Sequence, residues 1–184
     1  MNAPAKPENG SRPGSLGIPI STLALGLFMA AAWSSIGASH PAFAMVANIG
    51  LLLWGLFVGK PLAAVAPARF TVSAHEDRTY RTLGVTAFNA LLRAISWNRA
   101  VAQMRGFDGT RSSLAALDAG TRESETAHGF ATVLALVLAL AALATGHAWG
   151  ALWIALLMIP LHLYPWMLQR HVRYRLQLLS PGLA

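Results

Sequence analysis

The stretch RESETAHGFATVLALVLALAALAT, residues 122–145, decides how the chain must be read. From Thr126 to Thr145 the only titratable side chain is His128. Those 20 residues suffice to cross a hydrocarbon layer of about 30 Å at about 1.5 Å per residue. Glu123 and Glu125 stand just before the run. In a helix, Glu125 and His128 share a face. A carboxylate and an imidazole placed together where a helix enters lipid are costly, so the pair marks a functional site. The same residues also read as a helix start. Thr121, Ser124 and Thr126 can cap, and the glutamates suit the positive end of the helix dipole. That reading accounts for the glutamates but not for His128, which gains nothing from a positive pole.

Three more apolar runs flank this one, at residues 18–39, 43–59 and 148–168. The 184 residues are 55% hydrophobic and 11% charged, with a mean hydropathy of +0.49. A soluble domain carries about 25% charged residues. The expected fold is an all-α integral membrane protein, with four transmembrane helices arranged as two hairpins and joined by a cytosolic amphipathic-helix connection. Residues 1–17 form a disordered N-terminal tail, rich in Pro, Gly, Ser and Asn. Residues 18–66 form the first hairpin, 67–122 the interfacial connection, and 123–184 the second hairpin with a basic tail. Ala42-Phe43-Ala44 resembles a signal-peptidase site. The run before it exceeds the usual apolar core of roughly 7–15 residues, so an uncleaved helix is expected. Gly55-x-x-x-Gly59 permits close helix approach, a spacing also common in glycine-rich apolar helices.

All 14 Lys and Arg lie in the N-terminal tail, the end of the second run and the central connection, or the C-terminal tail. The short turns near Pro41 and Gly146 have none. The positive-inside rule places both termini and the connection in the cytoplasm of a multi-pass protein, expected in a bacterial inner membrane. The net charge of +7 then answers to topology and anionic headgroups, and no nucleic-acid partner is expected. Absence of cysteine excludes disulfides, thiolate metal sites and a cysteine acyl-enzyme. In the connection, Val85, Phe88, Leu91, Leu92 and Ile95 recur at helical spacing, which predicts an amphipathic helix over residues 84–96. Trp97 suits the interface. Such a helix can lie on lipid, pack on its own protein, or do both.

An antiparallel third and fourth helix would bring His128 to the level of residues 164–166, with His162 about one turn deeper. Glu125 would lie near Gln169 and Arg170. Pro165 and Pro160 disturb the carbonyls of Leu161 and Leu156. Polar groups and freed backbone therefore converge near the cytosolic leaflet. Taken alone, Tyr164 and Trp166 also read as belt aromatics, and Arg170, Arg173 and Arg175 as topology anchors. Glu-x-x-His can supply two metal ligands in a helical bundle. No second such motif and no other membrane-segment glutamate exists here, so no metal site is expected.

The ending His162-x-Tyr164-Pro165-Trp166-Met167-Leu168-Gln169-Arg170-x-x-Arg173-x-Arg175 resembles that of the glycosyl-4,4'-diaponeurosporenoate acyltransferase family. Glu125-Thr126-Ala127-His128 resembles the family's Glu-x-x-His. Tyr80-Arg81-Thr82-Leu83-Gly84-Val85, Phe88 and Trp97-Asn98 resemble its central loop. The likeness covers about residues 78–178. His162 stands where the family usually has Asn, and His171-Val172 where it usually has Tyr-Asn. The resemblance implies transfer of a fatty acyl group, from acyl-CoA as co-substrate with no bound cofactor, to a sugar hydroxyl of a glycosylated carotenoid or related glycolipid. Read with it, His128 is the expected general base and Glu125 orients or charges the imidazole. Gln169 or Arg170 stabilises the oxyanion. His162, Tyr164, Gln169, Arg170, Arg173, Arg175, Trp97 and Asn98 line the substrate. The other open reading is non-enzymatic: an accessory or assembly subunit of a larger, pigment-bearing membrane complex, whose His and Arg residues bind lipid, pigment or a membrane-protein partner. The spans carry too few polar groups for a transporter path.

Overall fold

A computed structural model describes residues 16–64 and 67–179. Nearly all of the N-terminal tail expected over residues 1–17 lies outside the described residues. The described chain is helical, with no strand among these residues. Helices α1 (Gly17–Ile36) and α2 (Pro41–Ala63) form the first hairpin. A single 3-10 turn (Pro67–Phe70) leads to three short helices, α3 (Ala74–Thr82), α4 (Val85–Ala94) and α5 (Trp97–Met104). Helix α6 (Leu114–Ala144) and helix α7 (Ala148–Met158) form the second hairpin. A π-helical turn (Ile159–Leu163) then passes α7 into α8 (Tyr164–Leu179). Four segments are long and apolar enough to cross a membrane: Gly17–Ile36, Pro41–Ala63, Arg111–Ala144 and Ala148–Leu179.

The packing is small side chains inward and large ones outward. On α6, Ala127, Ala131, Ala135, Ala139 and Ala142 are buried, while Val133, Leu136, Leu140 and Leu143 face out. Lipid is as apolar as leucine, so helices in it associate by close backbone approach, which alanine and glycine allow. Gly55 and Gly59 of α2 make that approach to α6. A Cβ on Gly59 would lie 2.7 Å from the Glu123 carbonyl oxygen, and one on Gly55 would lie 3.2 Å from the Ala127 Cβ. The glycine spacing is therefore a packing device here. By contrast, α1 buries only Ala32 and Ala38 follows it into the turn.

Helix α6 starts well before the apolar run. Its 31 residues extend about 46 Å, longer than a bilayer core of about 30 Å. Thr121, Ser124 and Thr126 sit inside the helix rather than at its start, so the helix-start explanation of Glu123 and Glu125 does not hold. Thr121 and Thr126 instead donate to the carbonyls of Asp118 and Arg122, at 2.7 Å each. The projecting end of α6 and the whole of α8 pack with α3 and α4 into a polar unit beside the spans.

The amphipathic helix expected over residues 84–96 is present as α4, Val85–Ala94, and Ser96, with a φ of 60°, separates it from α5. Val85, Phe88 and Leu92 pack on Tyr80, Met167 and Leu168. Leu91, Ile95 and Trp97 are exposed. One face thus packs on the protein, as one sequence reading had it, and the other leaves Leu91 and Ile95 exposed. In the fourth run, Pro160 and Pro165 cannot donate to an α-helical ladder. The chain widens between them into the π turn, with Tyr164 N–H donating to the Ile159 carbonyl.

Candidate functional site

The contact between α6 and α8 has two sides. On one side stands a group of charges in which each acid has a basic partner. Arg173 is 2% exposed and donates to Glu125 Oε2 at 3.0 Å and Asp118 Oδ1 at 2.8 Å. Arg170 donates to Glu125 Oε1 at 2.7 Å, to Glu76 Oε1 at 2.5 Å, and to the carbonyls of Arg69 and Thr71. Arg122 Nε bonds Asp118 Oδ2 at 2.8 Å. Phe70, buried beneath, meets the guanidiniums of Arg69, Arg173 and Arg122 at 4.6, 4.8 and 5.3 Å from its ring centre. Arg69 also donates to the Thr126 hydroxyl, and the Tyr80 hydroxyl donates to Glu76. Burial pushes the Glu76 carboxyl up, but hydrogen bonds from Arg170 and Tyr80 outweigh it and hold the group below its ordinary pKa. The same burial, with Glu76 alongside, raises the Tyr80 phenol well above its ordinary value.

On the other side, deeper along the two helices, lies a seam of uncharged polar groups. The rings of His128 and His162 are 6.0 Å apart, centre to centre. His162 is fully buried, and its Nε2 lies 3.2 Å from the Asn48 carbonyl of α2. Asn48 Nδ2 donates to the Ala44 carbonyl at 2.8 Å. Pro165 cannot engage the Leu161 carbonyl in an α-helical bond. Trp166 closes one flank, 3.2 Å from where a Cβ on Gly129 would stand. Among the described residues, four buried side-chain atoms have no hydrogen-bond partner: His128 Nδ1, His162 Nδ1 and Asn48 Oδ1 in this seam, and Arg173 Nη2 on the charged side. Buried polar atoms are nearly always bonded, so three open ones in one seam mark a place built to meet something else.

The expected site residues divide between these regions. Glu125 meets Arg170, as the antiparallel count placed it, and its two oxygens go to Arg170 and Arg173 rather than to His128. His162 faces His128. Gln169 lies one turn beyond Trp166 along α8 and accepts from Arg105 Nη1 at 3.3 Å. Tyr164 spends its hydroxyl on the Leu83 carbonyl at 2.8 Å. Arg170 and Arg173 are committed to carboxylates, and Arg175 is exposed. Trp97 is exposed, and Asn98 bonds Asn89 at 2.8 Å. Both belong to α5, which packs chiefly on α4. Among the described residues no three His, Asp or Glu side chains gather as a metal site.

Sequence reasoning passed over Asn48 and Arg105. Asn48 did carry a signal, as the only polar side chain in the apolar run at residues 43–59. Arg105 carried none, being one arginine among eight in the connection. A family model described as glycosyl-4,4'-diaponeurosporenoate acyltransferase matches residues 63–180, from the end of α2 through α8. No curated protein and no solved structure matches the chain.

Proposed function

The chain belongs to the glycosyl-4,4'-diaponeurosporenoate acyltransferase family, and from that premise we propose that it esterifies a sugar hydroxyl of a glycosylated carotenoid, or a related glycolipid, with a fatty acyl group from acyl-CoA. The work is done at the cytoplasmic face of a bacterial inner membrane, with both termini cytoplasmic. The observation that carries this reading is the His128–His162 seam, with its open ring nitrogens, at the level where α6 passes from the charged unit into the apolar span. An acyl chain and a polyene stay in lipid at that level while the sugar reaches the interface.

His128 takes the proton of the sugar hydroxyl as that oxygen attacks the thioester carbonyl. The new C–O ester bond forms, the C–S bond breaks, and the thiolate leaves with the proton returned from His128. Gln169, whose Oε1 already accepts from Arg105, turns its amide N–H₂ toward the oxyanion. Arg170 is fully engaged elsewhere and is not needed for that task. Glu125 acts as a positioning residue: it ties α6 to α8 one turn from His128.

The test is a mass-resolved lipid and pigment extract from cells with the native gene, without it, and with His128→Ala. A fatty-acyl increment on a glycosylated carotenoid or glycolipid should vanish on deletion. It should fall by about 10²–10⁴-fold in His128→Ala with the protein still in the membrane. If deletion alone removes it, His128 is not the base. If neither change alters the extract, the accessory-subunit reading replaces this one. The almost unburied α1 would then be where a partner packs.

A further inference from the structure

We propose that Arg105 is the anion-binding residue of this seam and that it takes a phosphate of the acyl donor, an assignment that rests on the acyl-transfer reading above. The other guanidiniums around the seam have partners. Arg69 bonds Thr126, Arg122 bonds Asp118, Arg170 bonds Glu76 and Glu125, and Arg173 bonds Glu125 and Asp118. Among the described residues Arg105 forms no ion pair, and its one side-chain hydrogen bond is the 3.3 Å contact to Gln169. Arg105 is half-buried, and its other side-chain N–H groups bond none of the described residues, which leaves them for a ligand.

The fold holds this side chain in place without an ion pair, though the Glu123 charge is nearby. Arg105 caps the end of α5, and its stem lies flat across Gly120 of α6. A Cβ on Gly120 would stand 2.8 Å from Arg105 Cδ and 2.9 Å from Cγ. A glycine inside a helix costs about 1 kcal/mol relative to alanine, and here it makes room for the arginine. Burial lowers the Arg105 pKa and the nearby Glu123 charge works against that, but a guanidinium remains protonated throughout. Its planar fork suits two oxygens of a phosphate at once.

The spacing agrees with a long donor. Gly120, Ser124 and His128 repeat at four residues along one face of α6. Gly120 and His128 are thus separated by about 12 Å of helix rise. A donor with its thioester carbonyl at His128 and its phosphate at Arg105 needs a flexible linker of at least that length. The pantetheine arm of coenzyme A, longer than this when extended, supplies one. Arg175 is also exposed, but it stands six residues beyond Gln169 on α8 and turns to a different face.

The experiment uses the full chain in detergent, titrated with coenzyme A alone, and steady-state transfer from palmitoyl-CoA. Arg105→Ala should weaken coenzyme A binding and raise KM for palmitoyl-CoA about tenfold or more, with a smaller fall in kcat through the loosened Gln169. Arg105→Lys should recover part of both. KM for the glycosylated acceptor should not move. Gly120→Ser, which crowds the stem while leaving the guanidinium in the chain, should raise KM for palmitoyl-CoA in the same direction. Unchanged Kd and KM in Arg105→Ala, a loss confined to kcat, or a wild-type chain without affinity for coenzyme A would each overturn the assignment. Arg105-dependent coenzyme A binding without transfer to any acceptor would keep the phosphate site and remove the acyl-transfer reading.

Discussion

The two sides of the α6–α8 contact treat their polar groups differently. Around Glu125 the charges are paired: Asp118, Glu125 and Glu76 face Arg122, Arg170 and Arg173. Around His128 both Nδ1 atoms and the Asn48 oxygen have unused bonding capacity, against one unpartnered Arg173 nitrogen on the charged side. A satisfied buried network rigidifies a fold, whereas open polar atoms weaken it unless a ligand completes them. The comparison therefore separates residues of one sequence motif: Glu125 belongs to the framework and His128 to the chemistry.

The sharpest way to break that separation is Glu125→Ala. It leaves Arg173 buried with only Asp118 to offset it, and removing one partner of a buried pair costs about 3–5 kcal/mol. The variant should unfold earlier in detergent and accumulate poorly, whereas His128→Ala should keep most of its stability. If Glu125→Ala accumulates like the native chain and loses only product, Glu125 acts on the chemistry and the two regions are one site.

A smaller effect is expected at the helix crossing that supports both regions. Gly59→Ala would force its Cβ to within 2.7 Å of the Glu123 carbonyl. Overpacking of this kind costs about 1–3 kcal/mol. Thermal unfolding should register that loss, and α6 should shift, lowering transfer as well. Stability equal to the native chain would show that α2 can slide along α6 without cost.

The smallest effect concerns acid. Glu76 has its folded pKa lowered, so its contribution is present at neutral pH and above its ordinary value of 4.5. It is lost as pH falls through the lowered folded value. The unfolding midpoint of the native chain should therefore drop more steeply below about pH 4.5 than that of Glu76→Gln. Parallel curves would mean that the Arg170–Glu76 bond contributes nothing to stability.

Much of this was legible in the chain itself. Four apolar runs and the placement of Lys and Arg specify four helices long enough to cross a membrane, because length and hydropathy are local properties. Counting along an antiparallel hairpin brought Glu125 to Arg170, since helical rise is the same everywhere; it set His162 a turn deeper than His128, whereas the two rings face each other at 6.0 Å. The two prolines announced irregular backbone, which became the π turn.

Other features depend on which surfaces meet, and no local pattern carries that. Helix α6 begins at Leu114 because its polar first turns find Arg173, Phe70 and α8 to pack against, not because of a cap signal. Glu125 chose arginines over the imidazole three residues away, since α8 presents two guanidiniums to that face. Arg105 became distinctive only when its neighbours' charges were matched and its own was left over. Pairing is a property of the assembled set of charges. The sequence by itself determined where helices run and which residues share a depth. The tertiary structure alone decided which polar groups satisfy one another, because that depends on long-range packing of α2, α3 and α5 against the α6–α8 pair.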